Sequence, residues 1–151
     1  MSTNSRIALE LSDGSFLSVY HHWDGYPQWL GYTLNTHYAD KELASELIDG
    51  GDMACCWTKD RWTGKKVAEH VTENVEVDEY GPQYYSGRGE DCPPKLAHNL
   101  TELYEQCDNC GAEYLYIFER FGAGWICKNT RSWDDNYKGS ETIPENAYFT
   151  E

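Results

Sequence analysis

The sequence lacks several features that would place it in a well-defined class. No run approaches the ~18 apolar residues of a membrane-spanning helix, and no apolar segment near the start has the character of a secretory signal. Nothing matches a phosphate-binding loop, a nucleophile elbow or a dinucleotide-binding fingerprint. We therefore expect a cytoplasmic protein with reduced thiols and no membrane partner.

Basic residues are also scarce. The chain has 12 Lys and Arg against 26 Asp and Glu, which gives a formal net charge of −14. A field of this sign repels phosphate backbones, so direct nucleic-acid binding is not expected. Because the acids are spread along the chain, a solvated acidic surface is the simpler interpretation. The alternative is that they imitate a polyanion and occupy a basic groove on another protein.

Aromatic residues, in contrast, are abundant. The 151 residues include 12 Tyr and 6 Trp, which excludes a disordered chain and exceeds what one small core requires. Most of these rings are expected in the core and at its rim, where their polar tips tolerate partial exposure. The remainder are expected on the surface, and there Tyr and Trp commonly anchor a protein partner.

The N-terminal segment has the pattern of a β-hairpin. Residues 6–11 and 16–22 flank Asp13-Gly14, a dipeptide that favours a tight turn between strands. Pairing Leu11 with Phe16 places Ile7 and Leu9 on the face of Ser18, Tyr20 and His22. The other face then receives Arg6, Ala8, Glu10, Leu17, Val19 and His21. The two histidines therefore point to opposite faces and cannot chelate one ion together.

Hydrophobic periodicity and turn residues predict the remaining elements. Pro27 suits the first turn of a helix, and Asp40 suits the N-cap of the next one. The predicted elements are helices over 27–38 and 41–49 (the second with Leu43, Leu47 and Ile48 inward), a strand over 71–77, a loop over 80–93, a third helix with Leu96, Leu100, Leu103 and Cys107 on its apolar stripe, and strands around 114–118 and 125–127.

This order predicts the fold class. Strands and helices do not alternate regularly, so we expect an α+β fold with a mostly antiparallel sheet and about three helices. Residues 1–151 are expected to form a single domain. The tail from about residue 129 is polar and is expected to be irregular.

Chemistry-bearing groups concentrate in one short run, Tyr20-His21-His22-Trp23-Asp24-Gly25-Tyr26-Pro27. His22 is a candidate acid or base, since only histidine changes charge near neutral pH without help. Asp24 is a candidate to orient His22 or a substrate. The structural alternative is favoured: Asp24 closes an Asx-turn near the helix start, and His22 donates to a carbonyl.

The same run resembles a family of small phage and bacterial proteins of unassigned function. The resemblance covers about residues 6–128 and includes four further segments. These are His37-Tyr38, Leu47-Ile48-Asp49-Gly50-Gly51-Asp52, Arg88-Gly89-Glu90-Asp91 and Glu113-Tyr114-Leu115-Tyr116. It implies a phage or bacterial context and one surface that unites His22, Asp24, Tyr26, His37, Asp52, Arg88, Glu90 and Asp91. The pair Cys107 and Cys110 does not belong to the family pattern.

Candidate site residues follow from the run and the resemblance. Arg88 lies between two glycines and could clamp a carboxylate or phosphate, although an ion pair with a neighbouring acid is the simpler interpretation. The catalytic candidates are His22, Asp24 and His37. The ligand-binding candidates are Trp23, Tyr26, Arg88, Glu90 and Asp91.

Six cysteines raise the question of a metal. Cys107-x-x-Cys110 followed by Gly111 is typical of half a zinc site, and Cys92 and Cys127, with or without His98, would have to complete it. Cys107 also falls on the apolar stripe of the third helix, where it packs as a plain hydrophobe. Cys55-Cys56 is typical of a short buried strand. We assign no metal ion and no cofactor.

Two functions remain open from the sequence. The first is a small acidic accessory protein, encoded by a phage, that acts as an interaction or inhibitory module on a host or phage macromolecule. The partner would then be a protein. The alternative is a small enzyme or ligand-binding domain for a phosphorylated or nucleotide-like compound, with a pocket around the run 20–27.

Overall fold

The fold is α+β, as predicted, with helices on both faces of one mixed sheet. The computed structural model describes residues 3–22, 25–56, 83–121, 124–130, 140–141 and 143. The described strands follow the order β4-β3-β2-β1-β6-β7-β8, and β5 pairs with β2 outside this path. Five strand pairs are antiparallel and two, β1 with β6 and β2 with β3, are parallel.

The elements have the following bounds. The strands are β1 Ser5–Glu10, β2 Phe16–His21, β3 Met53–Cys55, β4 Gln83–Tyr84, β5 Lys95–Ala97, β6 Tyr114–Phe118, β7 Trp125–Asn129 and β8 Ser140–Glu141. The helices are α1 Tyr32–His37, α2 Lys41–Asp49 and α3 Leu100–Cys110. A π-helical turn over Pro27–Gly31 leads into α1, and a 3₁₀ turn over Tyr85–Arg88 follows β4.

The predicted hairpin is present, but its predicted register is wrong by one residue. Glu10 pairs with Phe16, so Ile7 faces Val19 rather than Tyr20. The turn holds five residues, because Leu11 N–H donates to the Ser15 carbonyl at 2.8 Å. The predicted alternation of side chains between the two faces of each strand is correct, but the predicted pairing placed the wrong faces of the two strands together.

One face of the sheet carries the larger apolar cluster. Ile7, Leu9 and Val19 pack there against Leu34 and Leu47, which come from α1 and α2. Pro27 at the first turn and the Asp40 side chain, which accepts from Leu43 N–H at 2.8 Å, begin the helices as predicted. The prediction that Leu43 points inward is wrong: it is 38% exposed, and Ala44 occupies the buried position.

The opposite face is covered by α3. Leu103 and Cys107 pack on Ala8, Phe16 and Leu115, and the Asn99 side chain caps the helix by accepting from Glu102 N–H. The helix begins later than its apolar stripe suggested. Leu96 lies in β5 and is 51% exposed, because residues 95–97 pair with β2 instead of extending the helix.

The last described segments extend the sheet. β6 is buried on both faces between β1 and β7, as its continuous apolar run predicted. The tail is not wholly irregular, since Ser140–Glu141 pairs with β7 and Ile143 packs against the larger cluster.

The predicted strand over 71–77 lies outside the described residues.

Two further features of the described part of the chain concern membrane-spanning helices and the state of the cysteines. No helix in it has the length and apolar character needed to cross a bilayer. Cys56, Cys92, Cys107, Cys110 and Cys127 all carry free thiols.

Two glycines with positive φ allow a matched stability test. Gly51 has φ +89°, and an added Cβ would overlap the Cys92 carbonyl oxygen. Gly89 has φ +85° and open space around it. We expect Gly89→Ala to lower the free energy of unfolding by about 1 kcal/mol through backbone strain alone. Gly51→Ala should cost about 3 kcal/mol, because steric overlap adds to the strain.

Urea denaturation of both variants measures the difference. Equal losses for Gly51→Ala and Gly89→Ala would contradict the close approach of Gly51 to the loop at Cys92.

Candidate functional site

At the end of β2, a side chain rather than a neighbouring strand accepts the hydrogen bond from one backbone N–H. On one side of β2, Ser18 pairs with Lys95 of β5 and His21 pairs with Met53 of β3. The Tyr20 N–H lies between these two short partners and donates to Asp52 Oδ1 at 2.8 Å. The carboxylate thus takes the place of a missing strand carbonyl and satisfies a backbone donor that burial would otherwise leave unpaired.

The backbone of Asp52 holds the loop that follows β4. Its N–H donates to the Cys92 carbonyl at 2.9 Å, and its carbonyl accepts from Tyr85 N–H at 3.1 Å. The loop closes on itself where Glu90 N–H donates to the Tyr85 carbonyl at 3.1 Å. Asp52 therefore links residues 85–92 to the end of β2, in addition to the pairing of β4 and β5 on either side of this segment.

Carboxylates gather around the Cys92 thiol in this loop. Burial raises the pKa of Cys92, and the negative charges of Asp52, Glu90 and Asp91 raise it further. Lys95 opposes them with a single positive charge. Glu90 and Asp91 are both exposed, so this part of the surface presents net negative charge to solvent.

Aromatic groups lie beside these acids. The Tyr20 hydroxyl and His22 Nδ1 are 2.6 Å apart, with the two rings tilted by 54°. Burial raises the pKa of Tyr20 to about 12, helped by the neighbouring acidic groups of Tyr85, Cys110 and Asp52. The phenol therefore keeps its proton at neutral pH, and its hydroxyl lies within hydrogen-bond distance of His22 Nδ1.

These residues define a candidate binding surface. We call it the acidic–aromatic surface, and its members are Tyr20, His22, Asp52, Tyr85, Glu90 and Asp91. All six are exposed or half-buried. It combines hydrogen-bonding rings with carboxylates, a composition suited to contact with a cationic group.

His21 occupies the other face of β2, as predicted, and its role is structural. Its side chain is 1% exposed; Nε2 accepts from Cys56 N–H at 3.1 Å, and Nδ1 lies 3.3 Å from Ser5 Oγ. Burial lowers the pKa of His21 to about 3, and the charge of His22 acts in the same direction. The ring is thus neutral, with Nδ1–H directed at the serine oxygen.

The structure brings together some of the predicted site residues. His22, Glu90 and Asp91 belong to the acidic–aromatic surface, as does Asp52, which the resemblance had suggested. Tyr26 caps the π-helical turn, where its carbonyl accepts from the Trp29 and Leu30 N–H groups, and its role in ligand binding stays a prediction.

The remaining candidates are not tested. Trp23 and Asp24 lie outside the described residues. For His37 and Arg88 only the backbone is described, at the end of α1 and of the 3₁₀ turn respectively. The single surface that the resemblance implies for His22, His37 and Arg88 therefore stays a prediction.

Hydrogen bonds hold the backbone at Gly25, which belongs to the run 20–27. Gly25 N–H donates to the Thr3 carbonyl at 2.8 Å, and the Gly25 carbonyl accepts from the buried Tyr116 hydroxyl at 2.7 Å. An added Cβ at Gly25 would crowd the Ser5 side chain. The chain thus leaves the end of β2 along a path fixed from two sides.

The four-cysteine zinc site considered above is not assembled. Cys107 packs between the sheet and α3, whereas Cys127 packs on the opposite face of the sheet. Across the described ranges, no group of three or more His, Cys, Asp and Glu side chains could hold a metal ion.

Sequence reasoning missed two members of this region. Tyr20 could have been found, because residues i and i+2 of a strand share a face and Tyr20 precedes His22 by two. Tyr85 carries no local signal, since the pairing of β4 with β3 and the bond to the Asp52 carbonyl bring its loop to β2.

Comparison of the chain with known protein families, with curated proteins and with solved structures finds no match. The resemblance to small phage and bacterial proteins therefore stays a prediction.

The role of Asp52 can be tested with two substitutions. Asp52→Ala leaves the Tyr20 N–H without an acceptor, so we expect it to lower the free energy of unfolding by about 2 kcal/mol. Asp52→Asn keeps an oxygen at the same position and should cost less than about 1 kcal/mol. Urea denaturation distinguishes them, and equal losses would contradict the bridging role.

His21 predicts a specific dependence of stability on pH. Its pKa is lower in the folded protein, about 3, than the ordinary value of 6.5, so the unfolded chain binds the extra proton between these values. The contribution of His21 to the free energy of unfolding is therefore complete above pH 6.5 and decreases as the pH falls. Between pH 7 and 5 the protonation of His21 in the unfolded chain lowers the free energy of unfolding by about 2 kcal/mol.

The variant His21→Gln removes this titration and serves as its control. We expect its free energy of unfolding to fall by about 2 kcal/mol less than that of the unchanged protein over the same pH range. If both proteins lose the same amount, His21 is not buried in its neutral form.

Proposed function

We propose that this protein is an interaction module that binds a basic segment of a partner protein through the acidic–aromatic surface. The observation that carries the proposal is the hydrogen bonding of Asp52, which joins the loop that carries Glu90 and Asp91 to the strand end that carries Tyr20 and His22. These groups come from three separate parts of the sequence, and the Asp52 bonds hold them together.

Charge supports a cationic partner. The chain carries a net charge of −14, and such a field attracts a basic protein from a distance and speeds its association. Close to the surface, exposed carboxylates accept hydrogen bonds from Lys or Arg, and tyrosine rings offer faces on which a guanidinium can stack.

The alternative of a phosphorylated or nucleotide-like ligand finds less support. Within the described residues, the only base whose charge reaches Cys92 is Lys95, against three carboxylates. Arg6, which pairs with Tyr20 across β1 and β2, is buried with 2% exposure. The carboxylates of Asp52, Glu90 and Asp91 would repel a phosphate at this surface.

The wider setting of the proposal comes from the sequence. The resemblance to small phage and bacterial proteins supports a role as a phage accessory factor in the host cytoplasm. In that setting, an inhibitory effect would follow if the surface occupied a basic groove that its partner uses for a polyanion.

A pair of charge-reversed variants tests the proposal. The double variant Glu90→Lys/Asp91→Lys changes the acidic–aromatic surface. The control Glu105→Lys/Asp108→Lys changes two exposed acids on α3 and shifts the net charge by the same +4. Each immobilised protein is incubated with bacterial lysate, and association with any captured protein is then measured at low and at high salt.

We expect a partner that the unchanged protein and the α3 control both bind. Its association with the Glu90/Asp91 variant should be at least about tenfold slower, and salt should reduce the difference. Equal effects of the two variants would contradict the proposal. Capture of no protein, together with a phosphorylated compound that co-purifies and is seen by native mass spectrometry, would favour the alternative.

A further inference from the structure

Arg6 is a charged residue in the interior of the protein. It lies in β1 and is 2% exposed. Its Nε donates to Ser18 Oγ at 2.7 Å, and Nη2 donates to the Ser18 carbonyl at 3.3 Å. Ser18 in turn donates to Gln106 Oε1 of α3 at 3.1 Å, so these acceptors of the guanidinium are neutral.

Arg6 has no acidic partner in the described part of the chain. The ion pairs found there join His98 to Glu102 and Arg120 to Glu10. Buried charges in proteins are ordinarily paired, because an uncompensated charge away from water is strongly unfavourable. The positive charge of Arg6 therefore calls for a negative group nearby.

The remaining contact of the guanidinium is a thiol. Nη1 donates to Cys110 Sγ at 3.7 Å, across 104 positions of sequence, and the Cys110 thiol itself donates to the Cys107 carbonyl at 3.5 Å. Cys110 is the last residue of α3 and is half-buried, so reagents in solvent can reach it. A cysteine in contact with a cation is the usual arrangement of a reactive thiol, since the thiolate is the nucleophilic form.

Other cysteines lie in different surroundings. Cys92 is half-buried like Cys110, but carboxylates surround it and, together with burial, raise its pKa. Cys107, one helical turn before Cys110, is fully buried, and burial raises its pKa to about 12. Cys92 is thus a natural control with similar exposure and opposite charge around the sulfur.

We propose that Cys110 is a nucleophilic thiol, activated by its contact with the Arg6 guanidinium, and that it is a site of oxidation by hydroperoxides. The thiolate sulfur attacks one peroxide oxygen, an S–O bond forms and the O–O bond breaks. With hydrogen peroxide, the departing hydroxide takes a proton from solvent and leaves as water. The sulfur is oxidised to sulfenic acid while the peroxide is reduced.

The test compares two cysteines within one molecule. The native protein is treated with hydrogen peroxide in the presence of dimedone, which traps sulfenic acid, and separately with iodoacetamide at neutral pH. Mass spectrometry of the peptides gives the rate at each cysteine. We expect Cys110 to react at least about tenfold faster than Cys92 with both reagents. An equal or faster rate at Cys92 would overturn the proposal.

Two further measurements assign the effect to Arg6. In urea, where the contact is lost, the ratio of the Cys110 and Cys92 rates should fall to about one. Arg6→Met should slow Cys110 about tenfold and leave Cys92 unchanged, while the surface control Arg120→Met should alter neither.

A Cys110 rate that is unchanged in folded Arg6→Met would also overturn the proposal. If that variant does not fold, the ratio in urea decides, because a preference for Cys110 that survives unfolding does not come from the guanidinium.

Discussion

One hydrogen bond holds the candidate site together, from the Tyr20 N–H to the Asp52 carboxylate. β2 has two short partners on the same side, and between them the sheet provides no carbonyl for this donor. Because the Asp52 backbone also binds Tyr85 and the Cys92 carbonyl, one residue both completes the sheet and fixes the neighbouring loop. Without it, the loop that carries Glu90 and Asp91 would lose its direct hydrogen bonds to the residue that binds the end of β2.

Much of the fold could be predicted because it follows from local signals. Asp40 and Pro27 mark helix starts through backbone geometry, and the apolar run of β6 indicates burial on both faces. The hairpin register could not be predicted, since alternation fixes the face within a strand but not the pairing between strands. There a five-residue turn, in which the Asp13 carboxylate accepts from the Ser15 N–H, shifted every pair by one.

The site was less predictable than the fold, because it is built from contacts that are distant in sequence. His22 was found from its own run, and Glu90 and Asp91 from a resemblance. The bond between Asp52 and Tyr20 spans 32 positions and leaves no periodic trace. The buried Arg6 had a signal, namely a charge within an apolar strand, but its partner is 104 positions away.

The acidic–aromatic surface and the Arg6–Cys110 contact lie at the same end of β2, so both depend on a well-ordered backbone at this strand end. Amide hydrogen exchange at Tyr20, measured by NMR in the native protein, tests that order most directly. If the Asp52 carboxylate binds this N–H, its exchange should be slowed to within about tenfold of the most protected amides of β1. Exchange as fast as that of a solvent-exposed amide would contradict the account.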